Sequence, residues 1–382
     1  MIVKLVDIFN LQMGKTPARN NKAYWNDGEY DWISISDLGN NIKYVSSTKE
    51  KITELAIKES GIKKVPSHTL LMSFKLSVGK TAITKYEVYT NEAIMAFIPN
   101  HKYDVYIDYF YYLFSWKDWS NDTSRAVMGA TLNKSTLGQI MVKIPPLDEQ
   151  RKIAETLDKV SNLIAKRKDQ IEKLDLLVKS KFVEMFGDIN SSELYPYKKI
   201  KDFTIVISGG TPDRNNSDYW DNGCIPWVKT TELQNSLINE SQEKITVDGM
   251  KNSSAKLVPP NTILLAMYGQ GKTRGMTGYL GFESTTNQAC ACILPSETIN
   301  QKYLWKYLIF SYDKLRNLAK GGNQPNLNCN MIKEFEVLFP PIELQNKFAD
   351  FVQQIEQSKI LINKSLEKME TLKKALMQEY FG

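Results

Sequence analysis

Gly271–Lys272–Thr273 has the ending of a phosphate-binding loop, in which a glycine-rich backbone and a lysine cradle phosphates. That loop needs a glycine five places ahead of Gly271, and the residue there is Ala266. The parallel sequence Gly79–Lys80–Thr81 has Phe74 in the same place. Ile144-Pro-Pro-Leu147 and Phe339-Pro-Pro-Ile342 carry the proline pair of amino-methyltransferases. Both lack the polar residue that would hold the amine and the aromatic that would stack on a flipped base. Gly269-Gln-Gly271 is followed by no ribose-binding acid in a strand–helix context. Metal-dependent nucleases cluster acids with a lysine, and the chain contains neither Glu-x-Lys nor Asp-x-Lys. The only histidines, His68 and His101, lie far from Cys224, Cys290, Cys292 and Cys329, which argues against a Cys–His metal site. No catalytic residue and no metal ligand is therefore expected, and a binding role is.

The elements that would carry such a role are written twice. Residues 14–38 and 209–233 align without a gap at an offset of 195, and eleven of the 25 positions are identical: Gly14, Thr16, Pro17, Arg19, Asn20, Asn21, Tyr24, Trp25, Gly28, Trp32 and Leu38 with their counterparts. Average residue usage would give roughly one or two matches. The register continues through Val65–Pro66 with Val258–Pro259, Gly79–Lys80–Thr81 with Gly271–Lys272–Thr273, Leu132–Asn133 with Leu327–Asn328, and Phe186–Gly187 with Phe381–Gly382. Each half is a globular module followed by a tail. In the modules, Thr69–Phe74, Ala93–Ile98, Thr262–Met267 and Ala289–Leu294 read as strands, and Tyr106–Trp116 and Tyr303–Tyr312 as helices. Cys290 and Cys292, two apart, belong on one strand face as core thiols.

Pro145–Pro146 and Pro340–Pro341 stop the preceding strands. Beyond each pair, apolar residues recur at heptad spacing, with Asp148 as a cap for the first helix. The first seam is Ile153, Leu157, Val160, Ile164, Ile171, Leu174 and Val178; the second is Phe348, Val352, Ile355, Ile362, Leu366, Met369 and Leu376. Each helix would be roughly 55 Å long. Each seam must be buried, and its own repeat, laid antiparallel, is the nearest partner. Packing on its own module, or between chains, are the alternatives.

The expected fold class is α+β. Two similar globular recognition domains, 1–144 and 196–339, are separated by two long antiparallel coiled-coil helices, 145–187 and 340–382, with a linker at 188–195, in a pseudo-twofold internal repeat. A net charge of +6 permits an anionic partner without demanding one. No run of eighteen apolar residues suggests a membrane span, residues 1–20 have no apolar signal core, and the composition fits a reducing cytoplasm.

The opening G-x-T-P and Tyr-Trp pair, the later Asp37–Leu38 and Glu232–Leu233, Thr285-Thr-Asn-Gln-Ala289, Ile144-Pro-Pro-Leu-Asp-Glu-Gln150 and Phe186-Gly-Asp188 together resemble the specificity subunit of type I restriction–modification systems. The resemblance covers nearly the whole chain. It implies a non-catalytic subunit in which each module reads one half of a bipartite site on double-stranded DNA. The helices would set the spacer between the half-sites. Two modification subunits would dock on the assembly to methylate adenine, joined by restriction subunits where DNA is cut. S-adenosylmethionine, ATP and Mg2+ would belong to those partner subunits, and no cofactor to this chain. An adaptor with two protein- or glycan-binding modules is the alternative.

Phosphates attract Lys, Arg, hydroxyls and free N–H groups; base edges are read by Arg, Asn and Gln. The DNA-contact candidates in the first module are Lys15, Thr16, Arg19, Lys75, Lys80, Asn133 and Lys134. In the second they are Thr211, Arg214, Lys272, Arg274, Asn323, Gln324 and Asn326. Modules that read different half-sites share scaffold and differ in base contacts. Trp25, Trp32, Trp220 and Trp227, being shared, are accordingly expected as core or partner-docking aromatics rather than base stackers.

Overall fold

The computed structural model describes the chain except for residues 40–42, 76, 120–123, 127–128, 270 and 320–325; for 124–126 and 129–131 it describes the backbone alone. The chain divides into two compact units, Met1–Lys168 with Lys364–Gly382, and Asp169–Asn363. The long helices Leu147–Phe186 and Ile342–Phe381 each contribute residues to both units.

In the first unit a five-stranded sheet runs in the order Phe9–Met13, Ile94–Pro99, Leu70–Ser73, Thr81–Thr84, Tyr44–Val45. Its pairings are antiparallel except the last, which is parallel. The central strands are apolar on both faces because both are covered, and side chains alternate between two cores. Leu70, Met72, Ile83, Met95 and Phe97 pack with Phe110 and Phe114 of the helix Ile107–Trp116. Leu71, Ala82, Ile94 and Ala96 point the other way, toward Ile33, Leu38 and Val45. A three-stranded sheet of Glu50–Ile52, Tyr30–Ile33 and Tyr89–Thr90 surrounds Trp32.

The second unit repeats this topology strand for strand. Its larger sheet is Val206–Ser208, Cys290–Ile293, Ile263–Ala266, Thr277–Leu280, Ser236–Ile238, again with a parallel last pair. Its smaller sheet is Glu243–Ile245, Ile225–Val228, Thr285–Thr286. Cys290 and Cys292 lie buried in one core with Leu264 and Ala266, as their spacing predicts. Burial pushes both thiols up, Cys292 to about 12, so both are held as neutral core groups.

The four expected strands form as Leu70–Ser73, Ile94–Pro99, Ile263–Ala266 and Cys290–Ile293. The aromatic segment around 303–312 is a helix, Gln301–Phe310, that breaks at Ser311; a second helix, Tyr312–Leu318, follows. Asp148 is not the helix cap: the helix already begins at Leu147, and Asp148 lies in its first turn, where a carboxylate faces the positive end of the helix dipole.

All fourteen expected seam residues are buried or half-buried, but what covers them differs along the helices. Ile153 and Leu157 join the core of the first unit, with Leu376 packed against it. Val178, Phe348 and Val352 join the core of the second, with Ile355 packed against it. Packing of a seam on its own module, the alternative, thus holds for Ile153, Leu157, Phe348 and Val352, whereas Val178 and Leu376 pack on the module of the other repeat. Within the second unit the two helix segments run antiparallel, Lys359 bonding Asp175 at 2.7 Å and Phe348 meeting Phe182 at 5.6 Å. The last turns enter the modules through their final aromatics. Phe381 packs on Tyr109 at 5.4 Å in the first unit, and Phe186 on Tyr303 at 5.2 Å in the second. Each module thus closes its core with the tail of the other repeat. Among the described residues, no helix is long and apolar enough to cross a membrane.

Two buried glutamines tie module to helix. Gln150, fully buried, donates to the carbonyls of Asp104 and Pro145, both at 3.0 Å, and accepts from the Tyr106 N–H at 2.9 Å. Gln345 donates to the Pro340 carbonyl at 2.8 Å and accepts from the Asn300 N–H at 2.9 Å. Replacing Gln345 by Leu strands both backbone groups at the entrance of the helix. It is expected to cost about 3 kcal/mol, since an unpaired buried polar group costs ~1–3 kcal/mol; urea unfolding of Gln345→Leu against the parent chain measures it.

Candidate nucleic-acid interface

In each unit one residue at the end of the central strand joins three chain segments through its backbone. Phe74 donates its N–H to the Ala93 carbonyl at 2.9 Å and accepts from the Leu132 N–H at 2.9 Å. Met267 does the same with Ala289 at 2.8 Å and Leu327 at 3.0 Å. This junction is the scaffold on which the candidate residues hang. Thr16 donates to Glu92, and Thr211 to Gln288, bringing the opening G-x-T-P segment to the same place. The close approach accounts for Gly14: a Cβ there would collide with the carbonyl oxygens of Thr90 and Asn91.

The hairpins that leave each junction turn back through left-handed glycines, Gly79 at φ 92° and Gly271 at φ 60°, which a side chain would strain. Lys80 then returns beside Ser73, whose N–H donates to the Lys80 carbonyl at 2.9 Å. In the second unit the hairpin is braced from behind: Tyr312 donates to the Lys272 carbonyl at 2.6 Å, and Arg316 to the Arg274 carbonyl at 2.8 Å.

The first unit therefore gathers Thr16, Lys75, Lys80, Asn133 and Lys134 about Phe74; the second gathers Thr211, Lys272, Arg274 and Asn326 about Met267. Asn133 caps the helix Lys134–Gln139, accepting from the Thr136 N–H at 2.8 Å, so its side-chain oxygen is already engaged. Lys134 and Lys272 are exposed, Lys75, Lys80 and Arg274 half-buried, and Asn326 exposed. Asn323 and Gln324 lie outside the described residues.

Lys15 and Arg19 are held elsewhere. Lys15 donates to the Ser60 carbonyl, at the C-terminal end of the helix Glu54–Ser60. Arg19 pairs with Glu50 and lies over both Trp25, 3.9 Å from its centroid, and Trp32, at 4.7 Å. Arg214 repeats the arrangement over Trp220 at 3.7 Å and Trp227 at 4.5 Å, paired with Glu243. The two indole pairs have the same geometry, 5.0 Å apart at 85°. The indole N–H groups of Trp32 and Trp227 donate to the carbonyls of Lys15 and Gly210. Trp32 and Trp227 are buried, as expected of scaffold aromatics. Partial burial opposes ionisation of Glu243, but hydrogen bonds from Lys229 and Arg214 outweigh it and hold the carboxyl below its usual range.

Residues that the sequence reading missed are Tyr268, exposed directly after the Met267 junction, the hairpin braces Tyr312 and Arg316, and the Thr partners Glu92 and Gln288. The repeat register held the signal for Tyr268, since it stands where the first module has Lys75.

The model of the type I restriction modification DNA specificity domain matches residues 1–173 and again 193–372. The chain belongs to that family. It is 27% identical over 398 residues to the type I restriction enzyme MjaIX specificity subunit of Methanocaldococcus jannaschii, covering 98% of this chain and 91% of that protein. The MjaVIII specificity subunit of the same organism is 22% identical over 401 residues, covering 98% and 90%. The fold matches the S subunit of a type I restriction–modification system from M. genitalium with a TM-score of 0.63 at 12% identity, over 100% of this chain and 96% of that one.

The two classes of cation should separate on mutation. Arg19→Ala and Arg214→Ala, losing the stacked pair, are expected to lower stability by about 1 kcal/mol each in urea unfolding. Lys75→Ala and Lys134→Ala are expected to leave it within about 0.5 kcal/mol.

Proposed function

We propose that this chain is the DNA-reading, non-catalytic subunit of a type I restriction–modification complex, with residues 1–144 and 196–339 each reading one half of a split site. The observation that carries this reading is the junction found twice, with Phe74 and Met267 each joining the same three segments into one surface of lysines, hydroxyls and amides. Such a surface suits phosphate and base contacts together. Two linked weak readers gain affinity through effective concentration. The adaptor alternative has no support in the family match or the relatives.

In this reading the helices in 145–187 and 340–382 set the spacer, and residues 188–195 link the first tail to the second module. Two modification subunits dock on the assembly and bring S-adenosylmethionine. Restriction subunits, where present, bring ATP and Mg2+. The exposed Leu176, Leu177, Ile360 and Leu361 on the helices offer them apolar contact area. The place of action is the cytoplasm.

The test is methylation. Co-expression with a type I modification subunit is expected to give modified adenines in a split motif with a fixed gap, absent when this chain is omitted. Chain-independent methylation, or a motif without a gap, overturns the reading. Adding a heptad to both long helices lengthens them by about 10 Å. That is expected to widen the gap by about three base pairs while leaving both half-sites unchanged.

A further inference from the structure

The two junctions share a backbone and differ in what they present. Immediately after Phe74 stands Lys75, its ammonium 5.3 Å from the Phe74 ring; immediately after Met267 stands Tyr268, 41% exposed. The second side of each junction is equally matched. Asn133 and Asn328 both cap a helix, accepting from Thr136 at 2.8 Å and Met331 at 3.0 Å. The next residue is the exposed Lys134 in the first unit and Cys329 in the second, whose sulfur rests 3.7 Å from that of Met267. Two cations flank the first junction, and an aromatic ring and a thiol flank the second. The scaffold fixes their places: Leu132 and Leu327 are tied to Phe74 and Met267, and the second hairpin is braced by Tyr312 and Arg316.

We infer that, given the DNA-reading function proposed above, Lys75 and Lys134 select a guanine in the half-site of the first module, and Tyr268 selects a thymine in that of the second. In the major groove guanine presents the acceptors O6 and N7, which an ammonium can engage. Thymine presents a methyl group, for which an apolar ring face is the fitting contact, and an ammonium is not. Lys80 and Lys272, shared by both hairpins, take the phosphates, because a contact common to two readers carries no sequence information.

The experiment uses the full chain co-expressed with its modification subunit and maps methylated adenines for the parent, Lys75→Met, Lys134→Met and Tyr268→Ala, with Lys75→Arg and Tyr268→Phe as conservative controls. The expected result for Lys75→Met and Lys134→Met is a loss of about tenfold in preference for guanine at one position of one half-site. Tyr268→Ala is expected to relax a thymine position in the other half-site to a similar degree, and both controls to retain the parent motif. Methylation that falls evenly over all sites, with the motif intact, makes these residues phosphate contacts and overturns the inference. So does relaxation at a base other than guanine or thymine, or in the same half-site for Lys75→Met and Tyr268→Ala. A parent chain that yields no split motif overturns instead the function on which the inference rests.

Discussion

Everything in this molecule that bears on reading DNA depends on the join between a module and a helix, and that join is made by a buried amide. Gln150 and Gln345 are fully buried, and each bonds the carbonyl of a proline that ends a strand and the N–H that opens the aromatic helix of the module. An amide can do this because it carries donor and acceptor on one planar group. A carboxylate there would lack the donor, and an apolar residue would leave the backbone unpaired in a place water does not reach. The proline pair ahead of each glutamine serves the same purpose. It ends the strand without leaving a backbone N–H that would need a partner. The sequences that first suggest a methyltransferase motif are thus a mechanical coupling.

The aromatic ends of the helices add the second constraint. Tyr303 lies under Phe186 and donates its hydroxyl to the Leu338 carbonyl at 2.8 Å; Tyr109 lies against Phe381 and donates to the Lys143 carbonyl at 3.1 Å. Each module is therefore incomplete without a tail that the other repeat supplies. A deletion in one tail is in this sense damage to the opposite module. Divergence between the repeats is confined accordingly: the tyrosines, the phenylalanines and the glutamines persist in both halves, whereas at the junctions Phe74, Lys75 and Lys134 give way to Met267, Tyr268 and Cys329.

Much of this was legible in the sequence because duplication makes constraint visible within a single chain. Gly14, Trp32 and their partners stand out as shared, and the structure gives each a physical reason: close approach for the glycine, burial with a bonded indole N–H for the tryptophan. Heptad spacing found the seam residues, but spacing reports only that a stripe is buried and not what covers it; hence the outer turns went to the modules. The candidate site was legible by residue type and less so by partner. Arg19 and Arg214 read as DNA-contact candidates by residue type, and nothing in a sequence reveals that Glu50 and Glu243 pair with them. Tyr268 gives no such signal by residue type, because phosphate and base-edge contacts call for charged and polar residues, whereas an aromatic counts as core until its exposure is known.

Charge is distributed by the same logic. A net charge of +6 on 382 residues is too small to define a face, and many of the cations are neutralised locally. Lys199 and Lys201 both pair with Glu334, and Lys43 bridges Asp108 and Asp158. What matters for an anionic partner is then the position of the cations that no carboxylate claims. A diffuse positive surface would bind any duplex with comparable strength and would slow the search for a particular site. The charges of the scaffold are paired, while Lys134 and Lys272 stand exposed beside the junctions, so that attraction to phosphates would act where the proposed base contacts also lie.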